Sequence, residues 1–326
     1  MKNGFWDTLV KPIMVLAPMA DVTDVAFRRV INTYGKPDVI WTEFVSADGL
    51  ARAPIEGRKK LLKDLEFSPG EHPIVAQFFT SNPDHMEQAA RLAFDLGFDG
   101  VDINMGCPDK GVEKQKAGAC LIKTPDVARE LIRAAKRGAT DGIRSIPVSV
   151  KTRAGYNKEE LETWIPALLA EEPAVLTLHA RTRKEMSKVP ARWSLVKRAV
   201  EIRDELNVST LIFGNGDVKD LNEARTKVVE TGADGVMLGR AIFGNPWLFS
   251  ERVPTFKEKL EVLIEHTKLF DEHLSMYKNF SIMKKHFKAY VNGFDGAQEL
   301  RTKLMETNNS QEVEGIVQTY LGEVSM

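Results

Sequence analysis

Eight short apolar runs, alternating with amphipathic stretches, decide most of what this chain of 326 residues can become. The runs are MVLAPM (14–19), VIWTEFVS (39–46), PIVAQFFT (73–80), GVDINMG (100–106), IPVSVKTR (146–153), AVLTLHAR (174–181), TLIFGNGD (210–217) and GVMLGRA (235–241). Their near-continuous apolar character suits strands buried on both faces, as in a parallel sheet. The stretches between them carry helical spacing. In PDHMEQAARLAFDLG, Met86, Ala89, Ala90, Ala93 and Phe94 form a stripe, Pro83 suits the first turn and Gly97 the stop. In TPDVARELIRAAKRG, Thr124 is the expected N-cap before Pro125, and Gly138 the expected end. Eight strands alternating with helices predict an α/β fold, a closed (β/α)8 TIM barrel, over residues 1–250. An open doubly wound sheet is the competitor. No GxGxxG opens a helix after the first strand, and the strand count fits closure.

After Ser250 the strand pattern stops and helical periods take over, so residues 251–326 are expected to form an all-helical domain. No linker rich in Pro, Gly or Ser marks the join, which predicts a fixed interface. Lys+Arg total 45 and Asp+Glu 46, so overall charge argues neither for nor against a nucleic-acid partner. Within 251–326 there are 10 Lys+Arg and 12 Asp+Glu, with positive charge gathered at Lys284, Lys285, His286 and Lys288, and Lys278 nearby. The two cysteines, Cys107 and Cys120, are too few for a disulfide framework, and a reducing cytosol is the simplest setting. The first apolar segment is broken by Pro12 and Pro18, unlike a secretory signal, and no run approaches a membrane span. A cytoplasmic monomer without a membrane partner is the expectation. No His/Asp/Glu set has metal-ligand spacing, so no metal is expected.

Active sites of this fold lie at the C-terminal strand ends. Those ends carry Met19, Glu43, Gln77, Asn104 with Cys107, Lys151 with Arg153, His179 with Arg181, Asn215 with Asp217, and Gly239 with Arg240. A purely structural barrel has little reason to gather so many polar groups there. Cys107, in NMGCP between breakers, reads as functional, whereas Cys120, among small and apolar neighbours, reads as packing. His179 follows an apolar strand and precedes Arg181, which favours a ligand-facing role. His72, His85, His266 and His273 are assigned nothing. Lys151 and Arg153 alternate along one strand and so share a side, implying an anionic or electron-rich partner. Gly214, Gly216 and Gly239, with Arg240, end the seventh and eighth strands, where this fold usually holds phosphate.

The ordered motifs LAPMADVTD, VAQFFTSNP, DINMGCPDK, VSVKTRAG, LHARTR, GNGDV and GADGVMLGRAIFGNPW, with KKHFKAY and GAQELR (284–301), resemble the tRNA-dihydrouridine synthases over nearly the whole chain. The resemblance implies an FMN-containing barrel with a helical tRNA-binding domain. It places Ala17, Pro18 and Met19 beside the flavin ring, and Gln77, Lys151 and His179 at its polar edge. Asn215, Gly216, Asp217, Gly239 and Arg240 would hold the phosphate. Asn104, Cys107, Lys151, Arg153, His179 and Arg181 would surround the uracil. The implied chemistry uses NADPH as reductant, sends hydride from flavin N5 to uracil C6, and makes Cys107 the general acid at C5, which requires the thiol form. The sequence departs from the pattern at Ala180 and Gly111, where glycine and lysine are common, and at Tyr156, where tryptophan is frequent. Two rivals are a flavin barrel acting on a free pyrimidine, similar to dihydroorotate dehydrogenase, and a non-catalytic RNA-binding barrel.

Overall fold

The computed structural model describes residues 3–324. Each apolar run coincides with a strand, the first beginning one residue before its run: β1 (Ile13–Leu16), β2 (Ile40–Ser46), β3 (Ile74–Phe79), β4 (Gly100–Met105), β5 (Val148–Arg153), β6 (Val175–His179), β7 (Leu211–Asn215) and β8 (Gly235–Leu238). All are parallel, in the order β1-β8-β7-β6-β5-β4-β3-β2. A bridge between Val15 and Val39, with the Leu16 N–H 3.4 Å from the Val39 carbonyl, joins the two ends of the sheet into a ring. Strands β1, β3, β4, β7 and β8 are buried along their whole length, as the apolar runs predict.

Two apolar layers result. The larger lies between the sheet and the surrounding helices. The smaller fills the lower barrel, where Trp6 meets Trp41 at 5.7 Å and Phe213 at 5.6 Å. The plug therefore occupies the N-terminal ends of the strands and leaves the opposite end open.

The helix Pro83–Leu96 starts and stops as expected: the Asn82 side chain accepts from the Asp84 and His85 N–H groups, and Gly97 adopts φ +87°. Two details of the next helix, Pro125–Gly138, differ from expectation. Thr124 makes no side-chain cap bond, so Pro125 alone marks the start. Gly138 is not a left-handed stop. A Cβ there would lie 2.1 Å from the Glu87 carbonyl oxygen, so this glycine permits a close helix crossing.

Beyond β8 the chain forms helices Phe256–Leu274, Lys284–Tyr290, Ala297–Leu304 and Ser310–Val324. The first packs along Val25–Tyr34 of the barrel. Their junction is a stack of rings: His266 lies on Phe27 at 4.8 Å, and His286 meets Phe27 at 4.9 Å, His266 at 4.7 Å and Phe243 at 5.5 Å. This corrects one reading: His286 is not part of a positive surface run, because it is fully buried, as is His266, to which the sequence assigns nothing. Burial pushes His286 down to about 3 and His266 well below its ordinary value, so both are neutral.

The sign of the consequence is direct. The unfolded chain takes up a proton at each histidine below pH ~6.5 and the folded chain does not, so this stability is present above ~6.5 and lost as pH falls. Neither nitrogen of His286 has a hydrogen-bond partner among the described residues. His286→Phe should therefore gain about 2 kcal/mol on wild type between pH 7.5 and pH 5. Urea melts of both proteins at the two pH values measure this, and an unchanged difference refutes it.

Among the described residues no helix is long and apolar enough to cross a membrane, and no group of three or more His, Cys, Asp or Glu is placed to hold a metal ion.

Candidate active site

At the open end of the barrel a cavity of ≈ 530 Å³ is lined by Ala17, Pro18 and Met19 after β1, Lys151 of β5, His179 of β6 and Arg181 after it, Asn215 of β7 and Gly216 and Asp217 after it, and Gly239 and Arg240 after β8. Ser187, Val218, Lys219, Met237 and Ala241 complete its wall. Parallel strands all point their C-terminal ends one way, so residues far apart in sequence share this rim.

The rim is wired together by one chain of polar groups. The Arg181 guanidinium donates to the Val189 carbonyl at 2.7 Å, to His179 Nε2 at 3.0 Å, and to Asp217. Asp217 also accepts from Arg240 Nη2 at 2.5 Å and from the Ala191 N–H at 2.8 Å. The bond from Arg181 holds the Asp217 carboxyl below its usual range. Gly216, at φ +129°, makes the turn that brings Asp217 into place; its carbonyl accepts from Trp193 Nε1 at 2.9 Å. Asn215 donates to the Met237 carbonyl at 2.7 Å and so ties β7 to β8.

Electrostatics set the protonation states. Burial, and then the cations Arg153, Lys151, Arg181 and Arg240, push His179 well below its ordinary value. Arginine can only donate, so His179 Nε2 accepts and the neutral ring carries its proton on Nδ1. Burial, with Arg153 alongside, lowers Lys151 to about 8. Lys151 is thus a cation at neutral pH and loses its charge just above it.

Gln77, Asn104, Cys107 and Arg153 stand beside the cavity rather than in its wall. Asn104 and Lys151 are register partners on β4 and β5, which sets the Cys107 loop next to the lysine. Cys107 is half-buried against Phe44, Phe79, Val112 and Ala117. Burial raises its thiol above the ordinary value, outweighing Lys151 and Arg153, so the protonated form holds at neutral pH. Arg153 donates to the carbonyls of Gly106 at 2.7 Å, and of Thr182 and Met186 at 3.2 Å each. Its guanidinium thereby staples the β4 and β6 loops.

Three sequence readings change. Glu43 does not face the mouth: it accepts from Lys278 at 2.7 Å, and Asp64 takes the same ammonium at 3.0 Å. Lys278 is therefore spent inside the molecule and belongs to no surface run. Gly214 serves packing, since a Cβ there would lie 2.2 Å from the Trp193 ring. Asp102, Ser149 and Trp193 escaped the sequence reading. An acid inside the apolar run GVDINMG was the available signal for the first. Tyr156, a departure from the usual tryptophan, keeps an aromatic function: the Lys123 ammonium lies 3.6 Å from its ring centroid.

Comparison with known proteins follows the same lines. Residues 15–325 match the family described as Dihydrouridine synthase (Dus). A probable tRNA-dihydrouridine synthase of Staphylococcus aureus strain Mu50 is 40% identical over 324 residues, covering 98% of this chain and 96% of the relative. A probable tRNA-dihydrouridine synthase 2 of Bacillus subtilis strain 168 is 40% identical over 325 residues, covering 98% and 97%. Among solved structures, a complex of 2-naphthoyl-CoA reductase shares the fold with TM-score 0.55 at 12% identity, over 74% of this chain and 50% of that one. Histamine dehydrogenase from Rhizobium sp. 4-9 shares it with TM-score 0.52 at 12% identity, over 78% and 48%.

Proposed function

The chain belongs to the dihydrouridine synthase family, and from that premise we propose that it reduces uridine to 5,6-dihydrouridine in tRNA, with FMN bound in the barrel mouth and NADPH as reductant. The observation that carries the reading is the cavity at the C-terminal strand ends, with a protonated thiol on the loop beside it.

The residues there fit a phosphorylated planar cofactor. A Cβ on Gly239 would meet nothing nearer than Ala17 Cβ at 3.6 Å, so the space beside that backbone belongs to the cavity. Asn215, Gly216, Asp217, Gly239 and Arg240 form the phosphate end, and Ala17, Pro18 and Met19 the apolar side. Lys151 and His179 supply the polar edge, and Gln77 stands behind it with its amide held by Asp102 and Asn104. When bound, reduced FMN supplies the hydride for C6 of uracil.

The chain's own residues then manage charge and proton. Cys107 gives its proton to C5 as general acid. Lys151, charged below about pH 8, stabilises the negative charge that develops on the base oxygens. Neutral His179 offers a donor without adding a competing cation. Arg153 and Arg181 spend most of their donors on the loops, so they shape the pocket around the base with Asn104. Residues 251–326 serve as the RNA-binding unit: Lys284, Lys285, Lys288 and Arg301 line a groove of ≈ 370 Å³ floored by Phe287 and Met305. Such cations offset the few kcal/mol needed to extract a stacked base. A cytoplasmic setting and a monomeric state complete the proposal.

The test is dihydrouridine mapping in tRNA from cells with and without this protein, beside flavin analysis of the purified chain. Loss of the modification at defined positions, and a yellow protein that releases FMN on denaturation, are expected. Unchanged dihydrouridine with a colourless protein that cannot be loaded with FMN defeats the reading.

A further inference from the structure

A line of side chains runs through the barrel interior from Asp102 on β4 to the loop that carries Cys107. Asp102 is fully buried. One of its oxygens accepts from Ser149 Oγ at 2.5 Å and the other from Gln77 Nε2 at 2.6 Å. Gln77 Oε1 accepts from Asn104 Nδ2 at 3.0 Å. Asn104 Oδ1 accepts from the backbone N–H of Gly106 at 3.1 Å and of Cys107 at 2.9 Å.

Each direction in this line is forced. An ionised carboxylate only accepts, so Gln77 must turn its NH2 group toward Asp102 and its oxygen toward Asn104. Asn104 must then turn its NH2 group to Gln77 and its oxygen to the loop. The far end demands the same orientation independently, because the backbone N–H groups of Gly106 and Cys107 only donate. We infer that Asp102 is a positioning residue for Cys107, its carboxylate fixing the Gln77 and Asn104 amides in the single orientation that pins the cysteine loop.

The claim rests on the reading of Cys107 as proton donor. It also implies a pH response. Burial raises Asp102 to about 6, against the pull of Ser149, Gln77, Lys151 and Trp41, which face it from β5, β3 and β2. Below that pH the group becomes a carboxylic acid, able to donate, and the line is held in its direction from the loop end alone.

Asp102→Asn removes the charge at nearly constant volume and leaves the amides oriented from the loop end alone. The flavin-loaded variant should keep its flavin, lose roughly tenfold in kcat for dihydrouridine formation with KM unchanged, and lose the acidic limb expected in wild-type kcat near pH 6. Hydrogen exchange at Gly106 and Cys107 should rise by a similar factor, with or without flavin. Adding Asn104→Ala should lower kcat no further than the worse single variant, as for residues in one line. Wild-type kcat and exchange in Asp102→Asn overturn the inference. So does a lower kcat with unchanged exchange, which would mean that Asp102 acts only through the charge of Lys151. Should Asp102→Asn not fold, Ser149→Ala keeps the carboxylate but removes one donor, and must move the acidic limb of kcat upward; an unmoved limb refutes the proposal. If wild type makes no dihydrouridine, the functional reading falls while the exchange measurement still tests the line.

Discussion

Cys107→Ala should retain its flavin and lose uridine reduction by a factor of roughly 10²–10⁴, the usual contribution of a positioned general acid. Retention follows from geometry. Cys107 is outside the wall of the cavity, and its neighbours Phe44, Phe79, Val112 and Ala117 are apolar, so removing the sulfur takes no polar contact from the cofactor end. The loss follows from protonation, because burial keeps the thiol in the form that can donate. Single-turnover formation of dihydrouridine, with bound-flavin absorbance as control, separates the two effects. Full activity in the variant would remove cysteine from the acid role. In wild type the rate should decline as pH rises past about 8, where Lys151 loses its charge. That limb should persist in the residual activity of Cys107→Ala, which tells the lysine from the thiol.

Lys278→Met should destabilise the protein by about 3–5 kcal/mol at neutral pH, as expected when one partner of a buried ion pair is removed. The ammonium lies 2.7 Å from Glu43, which is 4% exposed, and 3.0 Å from Asp64. Burial alone would lower Lys278, yet these carboxylates hold it above its ordinary value. Burial raises Glu43 to about 7 even with the lysine present. Without the lysine Glu43 rises further, and the folded state binds its proton more tightly than the unfolded state. The variant should therefore regain stability as pH falls from 8 toward 5. Glu43→Gln in the same background should restore part of the loss at pH 8 and flatten the pH dependence. Thermal melts across that range check the sign; equal loss at pH 5 and pH 8 would show that the charge plays no part.

The fold was legible because its signal is local. A strand buried on both faces must be largely apolar, and each of the eight runs showed that bias without reference to any partner. The rim was legible for a related reason: a parallel barrel gathers its C-terminal strand ends whatever the sequences between them. Where a polar side chain points was not legible, because that depends on a partner distant in sequence. Glu43 and Lys278 are 235 residues apart and found each other rather than the mouth or the solvent. His286 sits in a run of lysines that reads as surface, and only its rings of contact, Phe27 and Phe243, make it core. Glycines are ambiguous in the same way. Gly97 ends a helix by its φ, whereas Gly138 and Gly214 exist to let another group approach, and the letter is the same.

On the proposed function, a helical region fastened to the barrel by stacked rings and a shared ion works without a hinge. The gap between its basic groove and the barrel mouth is then a constant, like the opening of a locked calliper. On the proposed function the enzyme cannot stretch to reach a nucleotide, so the RNA must deform to span that opening. Deformation is cheapest where a polynucleotide is already unpaired or sharply bent. Which uridine is modified thus becomes a question of RNA mechanics measured against a rigid gauge.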